Sequence, residues 1–240
     1  MAYACEKQDE LVWEFFGRRR AGFFLEVGAN HPTQGSQTWL LEQNGWRGIL
    51  VEPQAALAAL LRERRAGSRV FQAACGPPEN VGQATLYVPD DTLGGFATLE
   101  RNVDDPYVRY ARTERVEVLT LEAILQRAGD TQVDFLSVDT EGTEVGVLRG
   151  LDLAKRKPAL ILIEDKLQDL SKHTYLRRHG YVLVKRTELN DWYVPQGSRF
   201  TMTSVGEKLA LWRKVFLGLP FRKLRRWRHS RRARTQPGSR

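Results

Sequence analysis

The run Phe23-Phe24-Leu25-Glu26-Val27-Gly28-Ala29-Asn30 decides the fold. A short apolar stretch closed by glycine reads as a buried strand that stops at a turn. The glycine lets backbone approach a bulky ligand closely, and ligands of open α/β sheets bind beyond the carboxyl ends of the strands. Glu26 inside such a strand end is a carboxylate able to bond a cationic amino group. The bland alternative is an ordinary strand-to-loop turn. Gly-x-Gly-x-x-Gly is absent, so this is not the dinucleotide fingerprint.

Outward from this strand, apolar runs alternate with helical patterns. Leu11–Phe16 has helical spacing before Gly17, and Thr38–Asn44 is a helix stopped by Gly45. Gly48–Glu52 is a strand closed by Pro53, Ala55–Arg65 a helix, and Arg69–Ala74 a third strand. After a helix over Leu121–Ala128 capped by Thr120 come a strand (Val133–Asp139), a helix (Glu144–Arg149), a strand (Ala159–Glu164) and a helix (Ser171–Arg178). Tyr181–Lys185 and Asp191–Val194 form a final pair of strands. This alternation predicts an α/β fold with a mostly parallel, doubly wound sheet. Residues 76–118 read as an irregular insertion on the ligand side, with strands at Ala84–Val88 and Arg115–Leu119 and a loop at Asp90–Gly95.

Three strand ends carry candidate chemistry. Gly28, Ala29 and Asn30 follow the first strand. Glu52 ends the second, where a carboxylate can accept hydrogen bonds from both hydroxyls of a ribose. Ala73 and Ala74, at the end of the third, complete the candidate cofactor set. Asp139-Thr140-Glu141-Gly142 follows Val133–Val138. Two carboxylates that close together are costly to place unless a cation joins them, so they could bind a metal, orient an amine or act as a general base. Capping of the next helix by Asp139 or Thr140 is the structural alternative. Glu164, ending the neighbouring strand, could converge on the same cleft, and Asp139, Glu141 and Glu164 would then suit Mg²⁺.

Together these blocks resemble the FkbM family of methyltransferases. Phe23–Asn30, Gly45-Trp46-Arg47-Gly48-Ile49-Leu50-Val51-Glu52-Pro53 and Val133–Gly142 look like its successive signatures, and Leu148-Arg149-Gly150 and Ile161-Leu162-Ile163-Glu164 continue them. The resemblance covers roughly residues 10–195. It implies a Rossmann-like sheet with an antiparallel last strand, and methyl transfer from S-adenosylmethionine to oxygen, often on sugars of glycans, glycolipids or natural products. Glu26, Gly28, Ala29, Asn30, Glu52, Ala73, Ala74 and Asp139 are then the cofactor contacts, and Asp139 and Glu141 the catalytic pair. One departure stands out: where the family commonly continues from Asn into Asp-Gly, this chain has His31-Pro32. His31 is read as a turn residue in preference to a ligand contact, and His173 as a helix-surface position in preference to a base.

The 240 residues, 42% of them apolar, suffice for one domain with appendages and its own core. Cys5 and Cys75 make no metal or disulfide framework, and neither a leader nor a membrane-spanning run is recognisable, so the expected location is the cytoplasm. The net charge of +8 is unevenly spread: residues 207–240 hold twelve Lys or Arg and one Glu, a balance of +11, leaving −3 on the other 206. The methyltransferase domain is therefore placed at 1–206 and a basic amphipathic tail at 207–240. Leu209, Trp212, Val215, Phe216 and Leu219 share a helical face, Pro220 divides the segment into two helices, and Phe221, Leu224 and Trp227 recur among cations. The preferred partner is the anionic inner face of a membrane, ahead of packing on the body or on a second subunit. An RNA-directed methyltransferase or nucleic-acid binder using the tail is disfavoured by the acidic body, and a non-catalytic relative rests on His31 alone. The expected acceptor is a glycan or glycolipid; oligomeric state is not legible.

Overall fold

The computed structural model describes residues 4, 7–90, 97–99, 109–129 and 131–221. In chain order the first elements are α1 (Gln8–Phe15), β1 (Phe23–Val27), α2 (Trp39–Gln43), β2 (Arg47–Val51), α3 (Ala55–Arg64), β3 (Ser68–Phe71) and β4 (Ala74–Cys75). Then follow β5 (Gly82–Pro89), β6 (Tyr110–Leu119), α4 (Leu121–Arg127), β7 (Phe135–Val138), α5 (Glu144–Arg149) and α6 (Leu153–Arg156). The chain continues through β8 (Leu160–Glu164), α7 (Ser171–Arg178), β9 (Tyr181–Thr187), β10 (Asn190–Pro195) and α8 (Val205–Trp212).

Seven strands form one sheet in the order β3-β2-β1-β7-β8-β10-β9. β1 pairs in parallel with both β2 and β7, so the chain reverses its direction of winding at β1. Only β10 runs against its neighbours β8 and β9, which meets the expectation of an antiparallel last strand. β7 and β8 are buried along their whole length, as strands covered on both faces must be. Alternate side chains feed two cores. Phe24, Leu50, Phe135, Leu162 and Trp192 pack with Val12, Leu41 and Leu61 from α1–α3. Leu25, Ile49, Leu136 and Ile161 pack with Ile124, Val147 and Leu176 from α4, α5 and α7. The Gly-Trp-Arg-Gly block is structural: a Cβ on Gly22 would lie 2.6 Å from the Trp46 ring, and one on Gly48 2.2 Å from Phe24.

Two expectations are corrected. Arg69–Ala74 is not one strand: β3 ends at Phe71, and β4 joins a separate three-stranded sheet in the order β4-β6-β5. In the stretch after it the expected strands at Ala84–Val88 and Arg115–Leu119 are present but longer, and the irregular insertion gives way to a regular ribbon: β5 and β6 pair antiparallel from Gly82↔Val118 to Pro89↔Tyr110. Thr98 bridges Tyr87 on the edge of that pair. The expected loop over Asp90–Gly95 lies, beyond Asp90, outside the described residues. The short helix α6, capped by Asp152, carried no clear sequence signal. Among the described residues no helix is long and apolar enough to cross a membrane.

The tail also differs from its reading. A capping box of Ser204 and Glu207 starts α8 at Val205, two residues before the expected tail. A π-helical turn over Arg213–Leu217 then shifts the helical phase. The single predicted face is split: Val215, about 120° around an α-helix from Leu209, is buried, while Leu209 and Trp212 are exposed. The break falls before Pro220, which sits in the next helical turn, where its missing N–H is tolerated. Leu224 and Trp227 lie outside the described residues.

Candidate active site

A cavity of ≈ 290 Å³ opens at the carboxyl ends of β1, β2, β7 and β8, where the strand order reverses. Every residue singled out at the strand ends lines it: Glu26, Gly28, Ala29, Asn30, Glu52, Ala73, Ala74, Asp139, Glu141 and Glu164.

The first and third motifs interlock through their backbones. Gly28 N and Ala29 N both donate to Val51 O, at 3.0 and 3.1 Å, and Asp139 N donates to Val27 O at 3.0 Å. Gly28 has φ +81°, and a Cβ there would lie 1.8 Å from the carbonyl oxygen of Asp139. No other residue type fits at this position. Beyond the turn, Asn30 N donates to Glu52 Oε2 and Gln54 N to Glu52 Oε1, each at 2.9 Å. Glu52 is thus fixed while facing the cavity. Burial raises its pKa to about 6 against the lowering effect of those two backbone N–H groups.

Glu26 is tied into the chain more fully than its sequence suggests. Its Oε1 accepts from Gln37 N at 3.0 Å, and its Oε2 from Thr38 Oγ1 at 2.5 Å and Ser36 Oγ at 3.4 Å. The buried Arg65 guanidinium donates to Ser36 Oγ, Thr38 Oγ1 and Pro32 O, and pairs with Glu42 at 2.9 Å. Burial raises the Glu26 pKa and the Arg65 charge opposes the rise. Oε1, with a single donor, keeps a lone pair for the cavity. His31 does not line the cavity; its Nδ1 accepts from Thr33 N at 3.2 Å and Gln34 N at 3.0 Å, the bonding of a turn residue.

At the other end, carboxylate oxygens of Asp139, Glu141 and Glu164 lie within 4.8 Å of one another. Lys166 Nζ joins Glu141 and stands 3.4 Å from Glu164. Asp139 lines the cavity and is exposed to it, whereas Glu164 is buried. The Asp139 pKa is raised well above the usual carboxylate range, first by desolvation and then by the charges of Glu164, Glu141 and Glu144, with Lys166 opposing. Glu164 is raised in the same way. The three carboxylates could ligate a divalent cation, but Lys166 already supplies a positive charge to two of them.

Sequence reading missed the groups that hold this cluster. Glu144, fully buried, accepts from Gly142 N at 2.8 Å and Thr140 N at 3.3 Å, and so shapes the turn that places Glu141 at φ 56°. Lys172 pairs with Glu144 at 2.8 Å and donates to Glu164 O at 2.6 Å. The available signal was an acidic residue in the first turn of a helix directly after a glycine turn. Further lining comes from Leu86, Leu99, Thr98, whose hydroxyl donates to Glu141 O at 3.3 Å, and the β9–β10 turn at Glu188–Asn190, none of which carried a sequence signal. His173 lies outside the cavity, its Nδ1 3.3 Å from the Tyr193 hydroxyl.

A family model described as the methyltransferase FkbM domain matches residues 26–183. No curated protein matches the chain. Among solved structures, the METTL16 methyltransferase domain aligns at 10% identity and a TM-score of 0.45, covering 80% of this chain and 67% of that one. A methyltransferase from Geobacter sulfurreducens aligns at 10% identity and a TM-score of 0.42, over 80% and 81% of the two chains. Precorrin-6y C5,15-methyltransferase from Geobacter metallireducens aligns at 10% identity and a TM-score of 0.38, over 79% and 86%.

Proposed function

The chain belongs to the FkbM methyltransferase family, and from that premise we propose that it is an O-methyltransferase acting on a sugar hydroxyl of a glycan or glycolipid, with Asp139 as the proton acceptor. That it is an S-adenosylmethionine-dependent methyltransferase follows from the family; the acceptor and the residue roles are the proposal.

The cavity suits the cofactor at its β1–β2 end. Gly28 and Ala29 line it with little side-chain bulk, Glu52 offers carboxylate oxygens to a vicinal diol, and Ala73, Ala74 and Leu86 give a small apolar surface for a flat ring. Bound S-adenosylmethionine supplies a sulfonium-activated methyl group. What the chain must add is alignment of the acceptor oxygen and a place for its proton.

The observation that carries the proposal is the Asp139 environment. Asp139 faces the open cavity, exposed, yet the protein crowded around it and the charges of Glu164 and Glu141 beside it make it hold a proton more tightly than an ordinary aspartate. As a general base its pKa is thereby moved toward the pH at which it works. With the methyl donor bound, Asp139 would take up the hydroxyl proton that the acceptor oxygen gives up on methylation. Glu141 and Asn190, with Thr98 bonded to the Glu141 backbone beside them, can hydrogen-bond neighbouring hydroxyls and fix which oxygen is presented. These oxygen and amide groups suit a polyol, and no aromatic side chain lines the cavity, among the described residues, to stack on a nucleobase. Mg²⁺ at Asp139, Glu141 and Glu164 remains a secondary expectation, since the ion would have to displace Lys166 from Glu141 and Glu164.

The test is incubation with methyl-labelled S-adenosylmethionine and fractionated cell-envelope glycans, followed by mass spectrometry of the labelled product. An O-methyl sugar is expected. Label on RNA, or on nitrogen or carbon of another acceptor, would overturn the assignment.

A further inference from the structure

We propose that α8 and the turns that follow it form a docking face for an anionic lipid surface. The helix is anchored on one side only. Val215 is 1% exposed, and the Phe216 ring packs edge-on against His173 with centroids 5.1 Å apart. The other side presents Val205, Leu209 and Trp212, which are 84%, 68% and 52% exposed and fall at i, i+4 and i+7. Phe221, 75% exposed, lies beyond the π-helical turn. A row of large apolar side chains held out to water by a capped, body-anchored helix marks an interaction surface.

The charge chooses the occupant. Lys208 and Arg213, both exposed, stand among these apolar residues, and residues 207–240 carry twelve cations against one Glu. A second copy of the chain would bring a segment of balance +11 against its twin, so a two-fold interface is opposed by like charge. Nucleic acid would use the cations and the rings but has no use for Val205 and Leu209. An anionic bilayer takes both: apolar side chains enter the headgroup boundary, Trp212 lies at the interface, and the cations face acidic headgroups. The surface also adjoins the cavity through α7, because His173, which carries Phe216, follows Lys172, which holds Glu144 and Glu164.

The experiment is co-sedimentation of the full chain with phosphatidylcholine vesicles and with mixed phosphatidylcholine–phosphatidylglycerol vesicles, over a range of salt. The comparison variants are the triple substitution Val205→Ser, Leu209→Ser, Trp212→Ser and the pair Lys208→Ser, Arg213→Ser. All five side chains are exposed and none lines the cavity, so cofactor binding reports that each variant is folded. Wild type is expected on the anionic vesicles only. The charge pair should weaken partitioning by about fivefold per cation removed. The apolar triple should bind at least about tenfold more weakly, and what binding remains should be fully reversed by salt. Equal extent and equal salt resistance for triple variant and wild type would overturn the proposal. So would failure of wild type to sediment with anionic vesicles, whether it then binds RNA or proves to be a dimer that the triple variant dissociates.

Discussion

Replacing Glu52 with Gln separates its structural role from its cofactor role, because the two respond with different magnitudes. In the folded protein the carboxylate accepts the N–H groups of Asn30 and Gln54, each at 2.9 Å. Gln keeps one acceptor oxygen and turns an NH₂ toward the other N–H, which costs about 1–3 kcal/mol for the orphaned donor. Against this, raising the Glu52 pKa from 4.5 to about 6 makes its charged form roughly 2 kcal/mol less favourable in the fold than in the unfolded chain. Gln removes that penalty. Above pH 7 the two effects nearly cancel, and thermal unfolding should move by only a few degrees. The pH dependence has a definite sign. A raised pKa contributes stability that is present below pH 4.5 and lost as pH rises through about 6, so wild type should lose roughly 2 kcal/mol relative to the Gln variant over that window. Cofactor binding has no such compensation. Loss of an acceptor shared by two ribose hydroxyls should weaken S-adenosylmethionine by about 1–3 kcal/mol, or roughly 5- to 150-fold in Kd. Titration calorimetry on the folded variant measures this, and a cofactor lacking the ribose 2′-hydroxyl closes the cycle: it should bind wild type more weakly but lose little further affinity on the variant. Native affinity in a folded Gln variant would refute the assignment of Glu52 to the ribose.

Asp139→Asn keeps the shape and removes the base, so turnover should fall by roughly 10²–10⁴-fold with melting behaviour preserved; near-native rates for both this variant and Glu141→Gln would place the proton acceptor elsewhere. Asp139 must be ionised to act and its pKa is raised, so the acid limb of the kcat–pH profile should lie above the ordinary aspartate range, with activity rising as pH rises through it. Lys166→Met takes away the cation that opposes this rise and should push the limb to still higher pH; an unmoved limb would show that another group governs it. Chelation in metal-free buffer should leave the rate unchanged, because Lys166 already pairs with Glu141 and Glu164, and a loss restored by Mg²⁺ would reinstate the metal reading.

What the sequence showed and what it hid divide along physical lines. β1, β2, β7 and β8 are short apolar runs closed by turn residues, and α7 was read with both ends at their observed positions because Gly180 follows it. The boundary between β3 and β4 was invisible, since Gln72-Ala73 continue the strand-like pattern and only the three-dimensional course shows the chain leaving the main sheet. β5 and β6 were read only over Ala84–Val88 and Arg115–Leu119, their more buried parts, because the rest of their length faces solvent, which weakens the apolar signal of a strand. In the tail, Val215 follows Leu209 by six residues, about 120° around an α-helix, so the stripe read as one face was broad from the start, and the π-helical turn over Arg213–Leu217 alters the phase further. At the site, strand-end positions were legible because topology alone sends them to one cleft. Lys172 and the Arg65 network were not, because each acts through elements remote in sequence, and Glu144, which bonds the turn just before it, read only as the first residue of a helix.

This division bears on how the chemistry is set. The carboxylate of Asp139 extends from a backbone pinned to β1 by its N–H bond to Val27 and pressed against Gly28, which itself bonds to β2. The turn facing the cofactor and the proposed proton acceptor therefore share one frame of backbone hydrogen bonds, and neither can shift without the other. Alignment of that order matters, since small misplacements of reacting groups are costly in rate. Protonation, in contrast, is set by side chains that reach in from outside the frame. Lys166 from beyond β8 and Lys172 from α7 neutralise Glu141, Glu164 and Glu144, whose charges hold the Asp139 pKa up. Substitution at these lysines can move the pH at which Asp139 accepts a proton while leaving its position unchanged. Substitution at Gly28 cannot spare the position, because any side chain there meets the Asp139 carbonyl before it meets a ligand.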